Sequence, residues 1–129
     1  MIVVDASFLI HVFLDSAVDP TYLDILETQG NLVAPHLVDL EFLNAIRKQL
    51  RLNLITEKRA AQAVLDLNDL ELERKTTHQL NSIIWDLRHN FTPYDAAYVA
   101  LAADLAIPFL TRDQKLSTAV KAHTKVRLV

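Results

Sequence analysis

Apolar positions change their period along the chain, and each change marks an element. Ile2 to Val4 is a short β-branched run, the pattern of a strand covered on both faces. Ser7 to Leu14 and Pro20 to Gln29 read as helices, the second ended by Gly30. Leu32 to Ala34 repeats the short apolar run and is closed by Pro35. Two helices are expected next, from Leu37 to Leu50 and from Thr56 to Asn68, the latter opened by Thr56 as N-cap. The segment LELER, Leu70 to Arg74, alternates as an edge strand does. Thr76 to Arg88 follows as a helix with Ile83, Ile84 and Leu87 on its apolar face.

FTPYDAAYVALAADLA carries two helix-start signals, Thr92 as N-cap and Pro93 at the first helical position. They predict a helix from Pro93 to Ala106 that is apolar nearly all round and therefore buried. Phe109 to Thr111 reads as a strand, Gln114 to Ala122 as a helix, and Val126 to Val129 as a last strand. Strands alternating with helices predict a parallel sheet with helices on both faces. LELER and VRLV both alternate and belong at the sheet edges, and the first strand belongs in the centre.

Composition narrows the class. A chain of 129 residues with 51% apolar content fits one domain spanning residues 1–129. Without cysteine there is no disulfide, thiolate metal site or cysteine nucleophile. The apolar N-terminus has no basic leader and is interrupted by Asp5 and His11, so it does not read as a signal peptide. AAYVALAADLAIPFL contains Asp104 and Pro108 and falls short of a membrane span, and a soluble cytoplasmic protein is expected. A net charge of −3 gives no global attraction to nucleic acid, so a polyanion would need local basic groups or bound cations.

The acids carry the chemistry. In a parallel α/β sheet, ligands bind outside the carboxyl ends of the strands. Asp5 ends the central strand, and Glu41 lies in the early turns of the helix after the second. Asp95 is in the first turn of the helix leading into the fourth strand, and Asp113 follows that strand in FLTRD. Each has an ordinary reading. Asp5 and Asp113 suit helix caps, Asp95 stands three residues after Thr92 as in a capping box, and Glu41 shares a polar face with Asn44 and Lys48. Asp95 fits its ordinary role least well, because a carboxylate on a buried helix needs a positive partner or a metal. A hard divalent cation would relieve the repulsion among four such oxygen ligands.

IVVDASFLI, LVDLEFLNAIRK, FTPYDAAYVALA and FLTRD, in this order, resemble the PIN domain, and more narrowly the VapC-type toxins of toxin–antitoxin pairs. The resemblance implies a three-layer α/β/α fold with a five-stranded parallel sheet of order 3-2-1-4-5. It implies that Asp5, Glu41, Asp95 and Asp113 are catalytic and hold Mg²⁺ or Mn²⁺. Ser7 and Thr111 match the small hydroxyl residues beside such a site, and Asn44 matches a polar residue one turn past the Glu. The implied activity is an endoribonuclease that uses metal-activated water and leaves a 5′-phosphate and a 3′-hydroxyl, with one or two metals both open. Lys48, Arg112 and Lys115, next to the acids, are the candidates for phosphate contacts. Trp85, beside Ile83 and Ile84, reads as a core or interface residue rather than a base-stacking platform.

The implied partners are RNA, a VapB-like antitoxin and a second copy of the chain. Leu52, Leu54 and Ile55 crowd a short connection, either as an interaction surface or tucked beneath the helical pair, and the resemblance favours an antitoxin groove. A non-catalytic PIN-like binding or assembly module is the alternative, and four retained acids argue against it. Aspartyl phosphoryl transfer is a further rival. Haloacid-dehalogenase-like phosphatases want an acid where Ser7 stands, and receiver domains want an acidic neighbour that Asp5 lacks.

Overall fold

The structure is a computed structural model that describes residues 1–28 and 30–129. In chain order the elements are β1 (Ile2–Val4), α1 (Ala6–Leu14), α2 (Pro20–Thr28), β2 (Leu32–Pro35), α3 (Leu37–Arg51), α4 (Glu57–Asp69) and β3 (Leu72–Lys75). A 3₁₀ turn at His78–Leu80 leads into α5 (Asn81–Asp86), α6 (Pro93–Leu105), β4 (Phe109–Leu110) and α7 (Gln114–His123). The expected helix end at Gln29 lies outside the described residues. Gly30 follows with φ of 73°, a left-handed conformation that glycine adopts without steric cost.

The sheet is parallel throughout, in the order β3-β2-β1-β4. Val3 stands opposite Val33 on one side and Phe109 on the other, and all three are fully buried. Those β-branched and aromatic side chains explain the continuous apolar runs in the sequence: a central parallel strand has no wet face. β3 pairs on one side only and alternates from buried Leu72 to exposed Glu73, as an edge strand does.

The expected fifth strand is reduced to one parallel bridge between Phe109 and Leu128. Two hydrogen bonds flank it, from Phe109 N–H to the Arg127 carbonyl at 2.9 Å and from Val129 N–H to the Phe109 carbonyl at 3.1 Å. β4 limits this pairing because it is two residues long. The chain enters it from Pro108 and leaves it at Thr111, whose hydroxyl turns toward Asp5. The expected spatial order is thus kept, with its last member shortened.

α6 packs against β1, β2 and β4, with α5 against α6. α1, α3 and α4 pack on one another, and α3 also reaches β2. Seven consecutive residues of α6, Ala96 to Ala102, are buried, so this helix has no solvent face along its middle. It stops where Ala106 takes a left-handed conformation, with φ of 52°.

The helix expected from Thr76 to Arg88 is broken. The Gln79 side chain donates to the Thr76 carbonyl at 2.9 Å, and Leu80 N–H bonds instead to the Thr77 carbonyl at 2.9 Å. That i→i−3 bond makes a tighter turn than an α-helix. Leu80 and Phe91, both buried, anchor the two ends of this stretch in the core, and α5 between them spans only six residues. Among the described residues, no helix is long and apolar enough to cross a membrane.

Phe42 is fully buried on α3, edge-on to Phe13 at a centroid distance of 6.1 Å. Phe42→Ala is expected to lower the unfolding free energy by about 3–5 kcal/mol, the transfer loss plus the cavity it leaves. Leu54→Ala, at a side chain 67% exposed, is expected to stay within about 0.5 kcal/mol. Urea titration of both variants checks the contrast, and equal losses would contradict this core.

Candidate active site

β1 delivers Asp5 to the carboxyl edge of the sheet, where only 5% of the residue is exposed. Both of its oxygens are satisfied. Ser7 Oγ donates to Oδ1 at 2.6 Å, Phe8 N–H donates to the same oxygen at 3.1 Å, and Thr111 Oγ1 donates to Oδ2. The two hydroxyls are themselves aimed by backbone amides: Arg112 N–H donates to Ser7 Oγ at 2.8 Å and Asp113 N–H to Thr111 Oγ1 at 3.0 Å. The carboxyl ends of β1 and β4 are thereby tied through one carboxylate. Burial pushes the Asp5 carboxyl above its ordinary range, and the Asp113 charge adds to this, while the three donors hold it down in part.

Glu41 is half-buried on α3, and the Tyr98 hydroxyl donates to its Oε1 from α6. Tyr98 is 1% exposed and stacked on Phe109, with centroids 6.0 Å apart and planes 14° apart. Burial, followed by its bond to Glu41, keeps the phenol far above its usual value, so Tyr98 stays a proton donor. Burial raises Glu41 as well, the bond from Tyr98 lowers it, and Asp5 and Asp95 raise it further by repulsion. Asp95 is half-buried in the first turn of α6, where its N–H bonds to Thr92 Oγ1 at 3.2 Å. Burial and the charge of Asp113 raise its carboxyl. Asp113 is exposed and caps α7, accepting from Leu116 N–H at 3.1 Å.

The four acids therefore share one electrostatic neighbourhood. Their oxygens do not converge on a point: among the described residues, no three Asp, Glu or His side chains are gathered as a bound ion requires. Two of the ordinary readings are realised at the same time, since Asp5 and Asp113 do cap helices. The donor set is nonetheless what a hard divalent cation takes, carboxylate oxygens with hydroxyl neighbours. Among the described residues the ion pairs are His11–Asp15, Arg74–Asp39 and Lys75–Glu73, and none involves these four.

The remaining candidates divide. Ser7 and Thr111 touch Asp5, and their hydroxyls lie 3.3 Å apart. Asn44 and Lys48 line a common hollow on α3 with Arg47 and Arg51. Arg112 lays its guanidinium 5.2 Å from the centre of the Tyr22 ring, and Lys115 lines a hollow along α7. Tyr98 was not among the residues singled out from sequence. Its signal is the one phenol within the alanine-rich stretch AAYVALAA, whose buried hydroxyl must find a partner. Of the two expectations for Trp85, core or interface, its 66% exposure removes the first.

Comparison with known proteins follows this geometry. The family model described as PIN domain matches residues 2–121. Ribonuclease VapC1 of Mycobacterium tuberculosis is 35% identical over 129 residues, covering 98% of this chain and 96% of that protein. PAE2754 from Pyrobaculum aerophilum superposes with a TM-score of 0.73 at 22% identity, covering 98% of this chain and 81% of that one. VapBC2 from Rickettsia felis, solved bound to a DNA fragment from its promoter, gives a TM-score of 0.68 at 15% identity, covering 100% and 98%. At those identities the two structures speak for the fold alone.

The raised carboxyls fix the sign of a pH effect. Asp95 binds its proton more tightly folded than unfolded, so its charge opposes folding once the pH exceeds the ordinary value of 3.8. With a chelator present, wild type is expected to gain stability relative to Asp95→Asn as pH falls from neutrality toward the ordinary value of 3.8. Urea titrations of both proteins across that interval measure the difference, and parallel curves would contradict a perturbed Asp95.

Proposed function

The chain belongs to the PIN domain family, and we propose that it is a metal-dependent endoribonuclease, the toxin of a VapBC-like pair, folded as one domain over residues 1–129. The observation that carries the reading is the state of Asp5. It is a buried carboxylate whose partners are hydroxyls and one amide, set among three further acids with which no cation pairs among the described residues. Such an arrangement is costly on its own and suits a site that takes positive charge. The name of the relative Ribonuclease VapC1 supports RNA as the substrate.

In this reading Asp5, Glu41, Asp95 and Asp113 hold Mg²⁺ or Mn²⁺. A bound divalent ion lowers the pKa of a coordinated water and offsets the negative charge that builds on the scissile phosphate. The chain's own groups supply position. Ser7, Thr111 and Phe8 N–H hold Asp5 fixed. Tyr98 holds Oε1 of Glu41. Lys48, Arg112 and Lys115, all exposed, contact substrate phosphates, with Asn44 beside Lys48. With an ion held there, water would add to phosphorus as the P–O3′ bond breaks, giving up one proton to solvent while the departing 3′ oxygen takes one, so the products would carry a 5′-phosphate and a 3′-hydroxyl.

The partner is a VapB-like antitoxin, consistent with a structural neighbour solved as a VapBC complex. Leu40, Leu43, Leu52 and Leu54 are exposed along α3 and the connection after it, while Ile55 packs against the core. In the proposed complex, apolar side chains of the antitoxin cover this strip and a basic side chain reaches the acids, displacing metal. A homodimer completes the assembly.

Purified wild type is expected to cut RNA with Mg²⁺ or Mn²⁺ and to stop with EDTA. Asp95→Asn should lose about a hundredfold or more in rate, the scale of removing one transition-state electrostatic contact, while staying folded. Cleavage by this variant at the wild-type rate, read on gels of labelled RNA, would reduce Asp95 to a helix-start residue. For the partner, Leu54→Asp should weaken capture and inhibition by the co-expressed antitoxin about tenfold or more, as loss of a buried hot-spot contact does. Wild-type inhibition by that complex would remove this strip from the interface.

A further inference from the structure

The acids account for cleavage and leave open how a nucleotide is seated beside them. Between the start of α5 and the start of α6 lie exposed aromatic and cationic side chains that none of the roles above uses. Trp85 and Tyr94 are each 66% exposed. The Arg88 guanidinium lies 4.6 Å from the centre of the Trp85 ring, and its Nη1 donates to the Trp85 carbonyl at 3.0 Å. Arg88 is thus held in place over one ring. Asn81, Ile84, Trp85, Arg88 and Pro93 line a hollow of about 350 Å³. Pro93, which lines the hollow, is the first residue of α6.

We propose that Trp85 and Arg88 form a stacking platform for an unpaired RNA base flanking the scissile phosphate. This rests on the RNA-cleaving reading and adds to it a strand requirement: the nucleotide at the platform is single-stranded. Three features favour RNA as the occupant. An exposed indole is expensive to leave in water and offers a flat face that any base matches. The stacked guanidinium adds positive charge where a backbone phosphate needs it, on a chain whose net charge is −3. Pro93, the first residue of α6, lines the hollow and stands two residues before Asp95 in the chain. Asn81 at the rim provides an amide able to pair with a base edge.

Trp85 is the single tryptophan of the chain, so its fluorescence reports this platform alone. With EDTA present to prevent cutting, titration of the full chain with a single-stranded oligoribonucleotide should quench that fluorescence saturably. The same sequence as a duplex should not. Trp85→Ala should raise Kd and KM for single-stranded RNA about tenfold, the weight of one stacked base, moving kcat less, and Trp85→Phe should recover part of the loss. Because the side chain is exposed, neither change removes core packing. Unchanged fluorescence and an unchanged Kd in Trp85→Ala, with wild type still cutting RNA, would overturn the platform and leave the nuclease standing. Quenching by RNA in a wild type that cuts nothing would uphold the platform and overturn the nuclease. Trp85→Ala converting a dimer to a monomer in light scattering, with RNA affinity intact, would assign the surface to a second copy of the chain and overturn the proposal.

Discussion

Asp5 is a carboxyl group buried at the end of the central strand, and much of the molecule follows from how that is arranged. An unpaired carboxylate there would cost several kcal/mol or be neutralised. Ser7, Phe8 and Thr111 offset part of that cost with donors drawn from α1 and from the end of β4. The same bonds hold two distant stretches of chain in register, because the amides of Arg112 and Asp113 aim the two hydroxyls. Electrostatics and topology are therefore one constraint here: the short β4 is positioned by β1 pairing on its side and by the Asp5 network at its end.

α6 carries the complementary half. Its buried middle brings Tyr98 under the sheet edge, where the phenol stacks on Phe109 and donates to Glu41 from across the core. Glu41 and Asp95 thus arrive from different helices yet repel each other through the same poorly hydrated region. Packing and the Tyr98 hydrogen bond hold them in place, and no cation among the described residues pairs with either.

The sequence made the sheet legible because parallel central strands lack a polar face, and the runs at Ile2, Leu32 and Phe109 could not be amphipathic helices of that length. The helix caps were legible too: Thr56, Thr92 and the dual roles of Asp5 and Asp113 as caps follow from short polar side chains before apolar periods. The break before α5 was not, because a side chain bonding to a neighbouring carbonyl at Gln79 leaves no periodic trace. Exposure of Trp85 was hidden for a related reason: flanking isoleucines suggested a continuous apolar face that the broken helix does not present. Tyr98 was readable in principle, as a hydroxyl among alanines. The four acids could be assigned to one edge by topology, but not their distances, which depend on side-chain volumes rather than on order along the chain.

Those volumes sit mostly in the alanines of α6. Ala96, Ala97, Ala100 and Ala102 are buried in a helix that touches β1, β2 and β4. Their small methyl groups let the helix approach the elements packed round it closely. Exchanging one for a larger aliphatic residue would keep every charge and every hydrogen-bonding atom in place along the sequence, yet shift Tyr98 and Asp95 outward together relative to Asp5. Divergence among proteins built this way could then retune the gap between carboxylates through apolar core positions, with the acidic residues themselves untouched.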